Sequence, residues 1–134
     1  VLYFQGAGGN SSTYISTILP LFQSGYEIYM VDFRGYGHSF GKPTHLNIEM
    51  DASTVLDTIL NKSNHPIICY GASMGTQIAT RLAAKPQEDI HALILDCLTS
   101  SFTDIAVHSK LEPSRAMVKQ FVTSPHSAKR ILEI

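Results

Sequence analysis

Ile67-Ile68-Cys69-Tyr70-Gly71-Ala72-Ser73-Met74-Gly75-Thr76-Gln77-Ile78-Ala79-Thr80-Arg81-Leu82-Ala83 joins three signals without a break. An apolar β-rich run comes first, then a turn in which glycines flank a serine, then a stretch whose Ile78, Ala79, Leu82 and Ala83 recur at helical spacing. An apolar run that does not alternate suits a strand covered on both faces, as in a parallel sheet packed between helices. Working outward, the β-rich runs are Val1 to Gln5, Glu27 to Phe33, Pro66 to Tyr70 and Ala92 to Cys97. The helical stretches lie between them. Ser12 to Ser24 carries Ile15, Ile18, Leu19 and Phe22, with Pro20 as an expected kink and Gly25 as a stop. Ile48 to Lys62 carries Ala52, Val55, Leu56, Ile59 and Leu60 on one stripe. Gly75 to Lys85 is expected to turn Thr76, Arg81 and Lys85 outward and to end at Pro86. The order β-α-β-α-β-α-β with right-handed crossovers predicts an α/β fold: a doubly wound, mostly parallel sheet with helices on both faces.

The whole chain of 134 residues fits one domain rather than two. Its hydrophobic fraction of 44% and formal charge of −1 speak against disorder and against a polybasic nucleic-acid surface, so no nucleic-acid partner is expected. No apolar run nears the roughly 18 residues of a membrane span, so no transmembrane segment is expected, and the expected compartment is the cytoplasm. Cys69 and Cys97 both lie in apolar runs and read as small hydrophobes, not as a disulfide framework. Val1 to Gly6 resembles the tail of a protease-cleavable tag but lacks its acidic first residue, and is read as a native strand and loop. The core is expected over residues 1–104, with 105–134 as the start of a cap or of connecting helices; Pro113 to Val122 and Ser127 to Ile134 are the helical candidates there. A sheet whose last strand is followed only by helices would leave an apolar edge bare, so residues 1–134 are expected to be one partial domain. Oligomeric state is not legible.

Two segments match G-x-S-x-G: Gly71 to Gly75 and Gly37 to Gly41. A serine on a sharp, strained strand-to-helix turn presents its hydroxyl for nucleophilic attack, and the glycines make room where a Cβ would clash. Only Ser73 has a strand directly before it and a helix directly after. Ser39 is followed by Gly41, Lys42 and Pro43, which do not open a regular helix. At the end of the first strand stands Gln5-Gly6-Ala7-Gly8-Gly9-Asn10. A glycine-rich turn ahead of a helix can also cradle a phosphate, which keeps a flavodoxin-like nucleotide-binding module as an alternative, but the glycines fit neither G-x-G-x-x-G nor a Walker loop. If the first and third strands are neighbours, the loops after Gln5 and Tyr70 open into one crevice. The backbone amides of Ala7 and Met74 could then face a developing oxyanion together.

The ordered set of strand, G-x-G-G-N loop, helix ending in Gly-Tyr, then Val31-Asp32-Phe33-Arg34-Gly35-Tyr36-Gly37-His38-Ser39, then the serine turn, resembles the serine α/β-hydrolase superfamily. Within it the chain is similar to the branch of small esterases, acyl-protein thioesterases and monoacylglycerol-lipase-like enzymes. The resemblance runs from Val1 to about Asp104. It implies Ser73 as nucleophile, with the Ala7 and Met74 amides as the oxyanion hole, and a small-molecule or lipid-like ester or thioester as substrate. It implies no cofactor and no metal; accordingly His, Cys and carboxylates are scattered without short ligand spacings. Where the family usually has His-Gly after the first strand this chain has Gln5-Gly6, and Gln can supply comparable hydrogen bonds to hold the loop. A non-catalytic binding member of the fold is the alternative that this departure suggests.

In family order an acid and a His follow the serine after later strands, and those strands are expected beyond Ile134. Among residues present, Asp96 ends the fourth run, where some members place their acid. His108 and His126 follow Ser73 in the right order without ending a strand. His38 falls near the crevice mouth, His45 in a loop, His65 in a turn and His91 at the far end of the fourth strand. Asp32 and Arg34 read as a structural pair or as turn-capping groups.

Overall fold

The computed structural model describes residues 1–85 and 89–98. The segments expected as helices at 113–122 and 127–134, the ending at Pro86, and His108 and His126 lie outside those residues. Four strands, β1 (Leu2–Phe4), β2 (Tyr29–Val31), β3 (Ile67–Ala72) and β4 (Ile90–Asp96), form one sheet. All three pairings are parallel and the order is β2-β1-β3-β4. The first and third strands are therefore neighbours, with Phe4 opposite Gly71. Within Val1 to Gly6, Leu2, Tyr3 and Phe4 form β1, one of the two inner strands, and are at most 1% exposed.

Side-chain alternation along β1 explains why helices cover both faces. Leu2 and Phe4 enter a core with Phe33, Ile48, Ala52, Leu56, Ile59, Ile67, Cys69, Ile78 and Leu82, which belongs to α2 (His45–Leu60) and α3 (Met74–Ala83). Tyr3 points the other way, to Ile18 and Ala72, on the face of α1 (Ile15–Gln23). Leu56 is 1% exposed at the centre of the first core, so Leu56→Ala is expected to cost about 3 kcal/mol, read as a lower denaturant midpoint at unchanged m-value.

A short 3-10 turn, η1 (Ser11–Tyr14), precedes α1, and Asn10 caps it by accepting from the Thr13 amide at 3.2 Å. The α1 helix runs through Pro20 and stops where expected. Gly25 takes φ +92, its amide reaches the Phe22 carbonyl and the Tyr26 amide reaches the Leu21 carbonyl, which is the paired closure of a Schellman motif. The α2 helix begins three residues earlier than Ile48, because Thr44 accepts from the Asn47 amide and closes the first turn.

Two expectations fail on α3 and β4. Thr76 is not turned outward but fully buried, because α3 packs against β1, β3, β4 and α2 and has little outer face to offer. Cys97 is exposed at φ +55, just past the last strand residue, while Cys69 is buried, its thiol pushed up to about 11 by desolvation.

Candidate active site

At the carboxyl end of β3 the chain turns directly into α3 at Ser73, which adopts φ 50, ψ −113. A non-glycine residue with positive φ is strained by roughly 1–3 kcal/mol and persists only where its surroundings fix it. Here the flanking backbone does so. The Ser73 amide donates to the Asp96 carbonyl at 2.8 Å, and the Ser73 carbonyl accepts from the Thr76 amide at 3.0 Å and the Thr76 hydroxyl at 2.6 Å. Burial of Thr76 thus serves the turn. Close approach on either side needs residues without a Cβ. One added at Gly71 would stand 2.6 Å from the Gly75 carbonyl carbon, and one at Gly75 only 2.5 Å from the Phe4 carbonyl carbon. Ser73 itself is exposed, and its side chain makes no cap hydrogen bond.

The loop after β1 comes alongside. A Cβ on Gly6 would lie 3.3 Å from Ser73 Cβ and 2.9 Å from the Tyr14 hydroxyl, so glycine there lets the loop reach the serine. Ala7 is exposed in the turn that follows, and Met74 is half-buried at the first position of α3. Gln5 is fully buried; its Nε2 donates to the Gly9 carbonyl at 3.0 Å, closing the loop on itself as the expected loop-holding role requires. Its Oε1 is buried without a partner among the described residues.

A second loop, 32–43, borders the first. Asp32 Oδ1 accepts from the Ser11 amide at 2.6 Å. Burial pushes the Asp32 carboxyl up, but the hydrogen bonds from Ser11 and the His38 amide, with the His38 charge, outweigh it and hold the group below the ordinary carboxylate range. Turn capping is thus right for Asp32, and pairing with Arg34 is not. Arg34 instead makes a two-pronged ion pair with Asp51 on α2, Nε to Oδ2 at 2.6 Å and the second nitrogen to Oδ1. No local sequence signal marks a partner 17 residues away. Ser39 lies in this loop, its hydroxyl donating to the Asp32 carbonyl at 2.8 Å, and no helix follows it directly.

Asp96 is exposed at the end of β4, in register with Ala72. Burial, and after it the nearby Asp96 carboxylate, push the ionisation of the Tyr70 phenol up. Tyr3, Tyr14 and Tyr70 cluster behind the serine turn, with the Tyr3 and Tyr70 rings 5.1 Å apart and edge to face. A cleft lined by Val1, Gly25, Tyr26, His65 and Pro66 opens at the amino ends of the strands, away from Ser73. His91 stands at that same end. Among the described residues no group of three or more His, Cys, Asp or Glu could hold a metal ion, and no helix is long and apolar enough to cross a membrane.

The parallel four-stranded sheet with its helices agrees with the alpha/beta hydrolase fold, whose family model matches residues 1–133. The chain belongs to that family. Protein bem46 of Schizosaccharomyces pombe is 33% identical over 110 residues, covering 78% of this chain and 36% of that protein. A lysophosphatidylserine lipase of Xenopus tropicalis is 31% identical over 129 residues, covering 90% and 32%. The chain thus spans about a third of the length of these relatives. Among solved structures, the monoacylglycerol lipase of Paleococcus ferrophilus superposes with a TM-score of 0.63 at 21% identity, covering 92% of this chain and 57% of that one, a likeness of fold. The relatives of this hydrolase family include lipases.

Proposed function

We propose that this chain carries the nucleophile and oxyanion loop of a serine hydrolase that cleaves a carboxylic ester or thioester, with a lipid-like acyl substrate. The observation that carries the reading is Ser73: exposed, held at positive φ between Gly71 and Gly75, and approached by the glycine loop after β1. In the proposed reaction Ser73 Oγ attacks the substrate carbonyl as its proton passes to a histidine. The Ala7 and Met74 amides stabilise the oxyanion, the alcohol or thiol leaves with the proton, and water then releases the acid. The length of the relatives supports placing the histidine in sequence outside residues 1–134, with the acid either there too or supplied by Asp96. The lipase relatives support the lipid-like substrate.

The test is hydrolysis by the full-length protein of p-nitrophenyl esters of rising chain length, a monoacylglycerol and lysophosphatidylserine. Turnover that depends on Ser73 and rises with acyl length supports the reading. A folded protein inactive on all of them, yet binding acyl ligands, favours the non-catalytic alternative. Gln5 bears on that choice. With the Gly9 carbonyl released, Gln5→Ala is expected to slow acylation by roughly 10-fold, as the loss of one buried hydrogen bond would, while Gln5→His retains most of the rate. Burst-phase acylation kinetics check both.

A further inference from the structure

The geometry points to Asp32 as the positioning residue of the proposed oxyanion loop, a latch that ties the loop after β1 to the loop after β2; the inference rests on the serine-hydrolase reading above. Ser11 is the first residue of η1, and a helix leaves its first amides without internal partners. Asn10 serves the Thr13 amide, so the Ser11 amide needs an acceptor from elsewhere. Asp32 Oδ1 supplies it at 2.6 Å, across 21 residues of sequence. The same carboxylate packs so closely on Gly37 that a Cβ there would sit 2.7 Å from Asp32 Cγ and 3.1 Å from Asn10 Cβ.

Loop 32–39 is wound around this one residue. The Ser39 hydroxyl reaches the Asp32 carbonyl, the Gly35 amide reaches the Ser39 carbonyl and the Ser39 amide reaches the Tyr36 carbonyl. Ala7 therefore lies between two fastenings: Gln5 to Gly9 within its own loop, and Ser11 to Asp32 at the loop's far end. Gln5 alone leaves the far end free to swing about Gly8 and Gly9. Asp32 removes that freedom with a charge-assisted bond, and so fixes the direction of the Ala7 amide without touching substrate.

Three variants test this in the full-length protein. Asp32→Asn keeps the shape and removes the charge. Ser11→Pro removes the donor and leaves Asp32 intact; proline is tolerated at the first helical position, and Asn10 is already extended at φ −128, ψ −179. Ser11→Ala keeps the donor. Asp57→Asn, on the exposed face of α2, is the control. The expected result is kcat lower by about 10²-fold in Asp32→Asn and Ser11→Pro with KM within about 2-fold, because a misplaced donor is missed only in the transition state. Ser11→Ala and the control stay near the parent. Hydrogen exchange should quicken over residues 6–11 in the two impaired variants and remain unchanged in α3. Parent-like kcat or unchanged exchange at 6–11 in both variants overturns the latch. If the parent hydrolyses no ester, the function reading fails on its own, and the exchange result still decides whether Asp32 holds the loop. Should Asp32→Asn not fold, Ser11→Pro decides alone.

Discussion

Ser73→Ala is expected to lower ester turnover by on the order of 10⁴-fold or more, while Ser39→Ala stays within a few-fold of the parent. Both serines sit in G-x-S-x-G, and their surroundings separate them. Ser73 is exposed at the junction of a buried strand and a buried helix, with its backbone held at φ 50. The Ser39 hydroxyl is already committed to the Asp32 carbonyl, in a loop with no helix directly after it. A hydroxyl that closes a turn contributes to loop stability and has no reason to be activated. Strain makes a companion result informative. Ser73→Gly relieves the positive φ and should raise stability by about 1 kcal/mol while abolishing turnover, so activity and stability would move in opposite directions. Denaturant melts and initial rates on the same three variants check this; a Ser39→Ala enzyme that loses activity as Ser73→Ala does would move the proposed nucleophile.

Gly75→Ala is the second large effect, and it acts through packing. Its new Cβ would fall 2.5 Å from the Phe4 carbonyl carbon and 2.9 Å from the Gln5 carbonyl oxygen. Both are backbone atoms of the central strand and of the start of the loop, so no rotamer can relieve the clash. Either α3 is pushed off β1 or the loop shifts, and each route costs about 3 kcal/mol and also displaces Ala7 from the serine. A fall in Tm of about 10 °C together with loss of turnover is expected. Gly25→Ala separates sterics from backbone preference. Nothing lies within 4 Å of a Cβ there, and only its φ of +92 resists substitution, so about 1 kcal/mol is lost with activity kept. Gly75→Ala as mild as Gly25→Ala would show that the strand and helix are not in contact at this point.

The sheet was legible because all four strands write themselves as unbroken apolar runs, although only β1 is buried throughout while β2 is half-buried and β4 largely exposed; β1 and β3 needed only the glycine loops at their ends to be set side by side. The sharp turn at Ser73 was legible for the same reason, since strand, glycine turn and helix follow one another without a gap. What was not legible depended on contacts distant in sequence. Thr76 occupies a position that helical spacing assigns to an outer face, but α3 is walled in by three strands and α2. Arg34 pairs with Asp51 on α2 rather than with its near neighbour Asp32, a contact across 17 residues that the sequence alone does not disclose. The sequence marks Asp32 as a capping group but not its client. The amide it serves belongs to Ser11, on the other side of α1 in sequence. Cys97 read as a core hydrophobe because it closes an apolar run, yet it stands one residue past the strand, at φ +55 and exposed.

The central claim is an activated serine at residue 73. It is tested most directly by treating the folded full-length protein with a fluorophosphonate probe and mapping the adduct by peptide mass spectrometry. The account expects a single phosphonylated serine at Ser73, lost in Ser73→Ala and slowed in Ser11→Pro. An adduct on Ser39 or elsewhere, or no adduct on a folded protein, would contradict it.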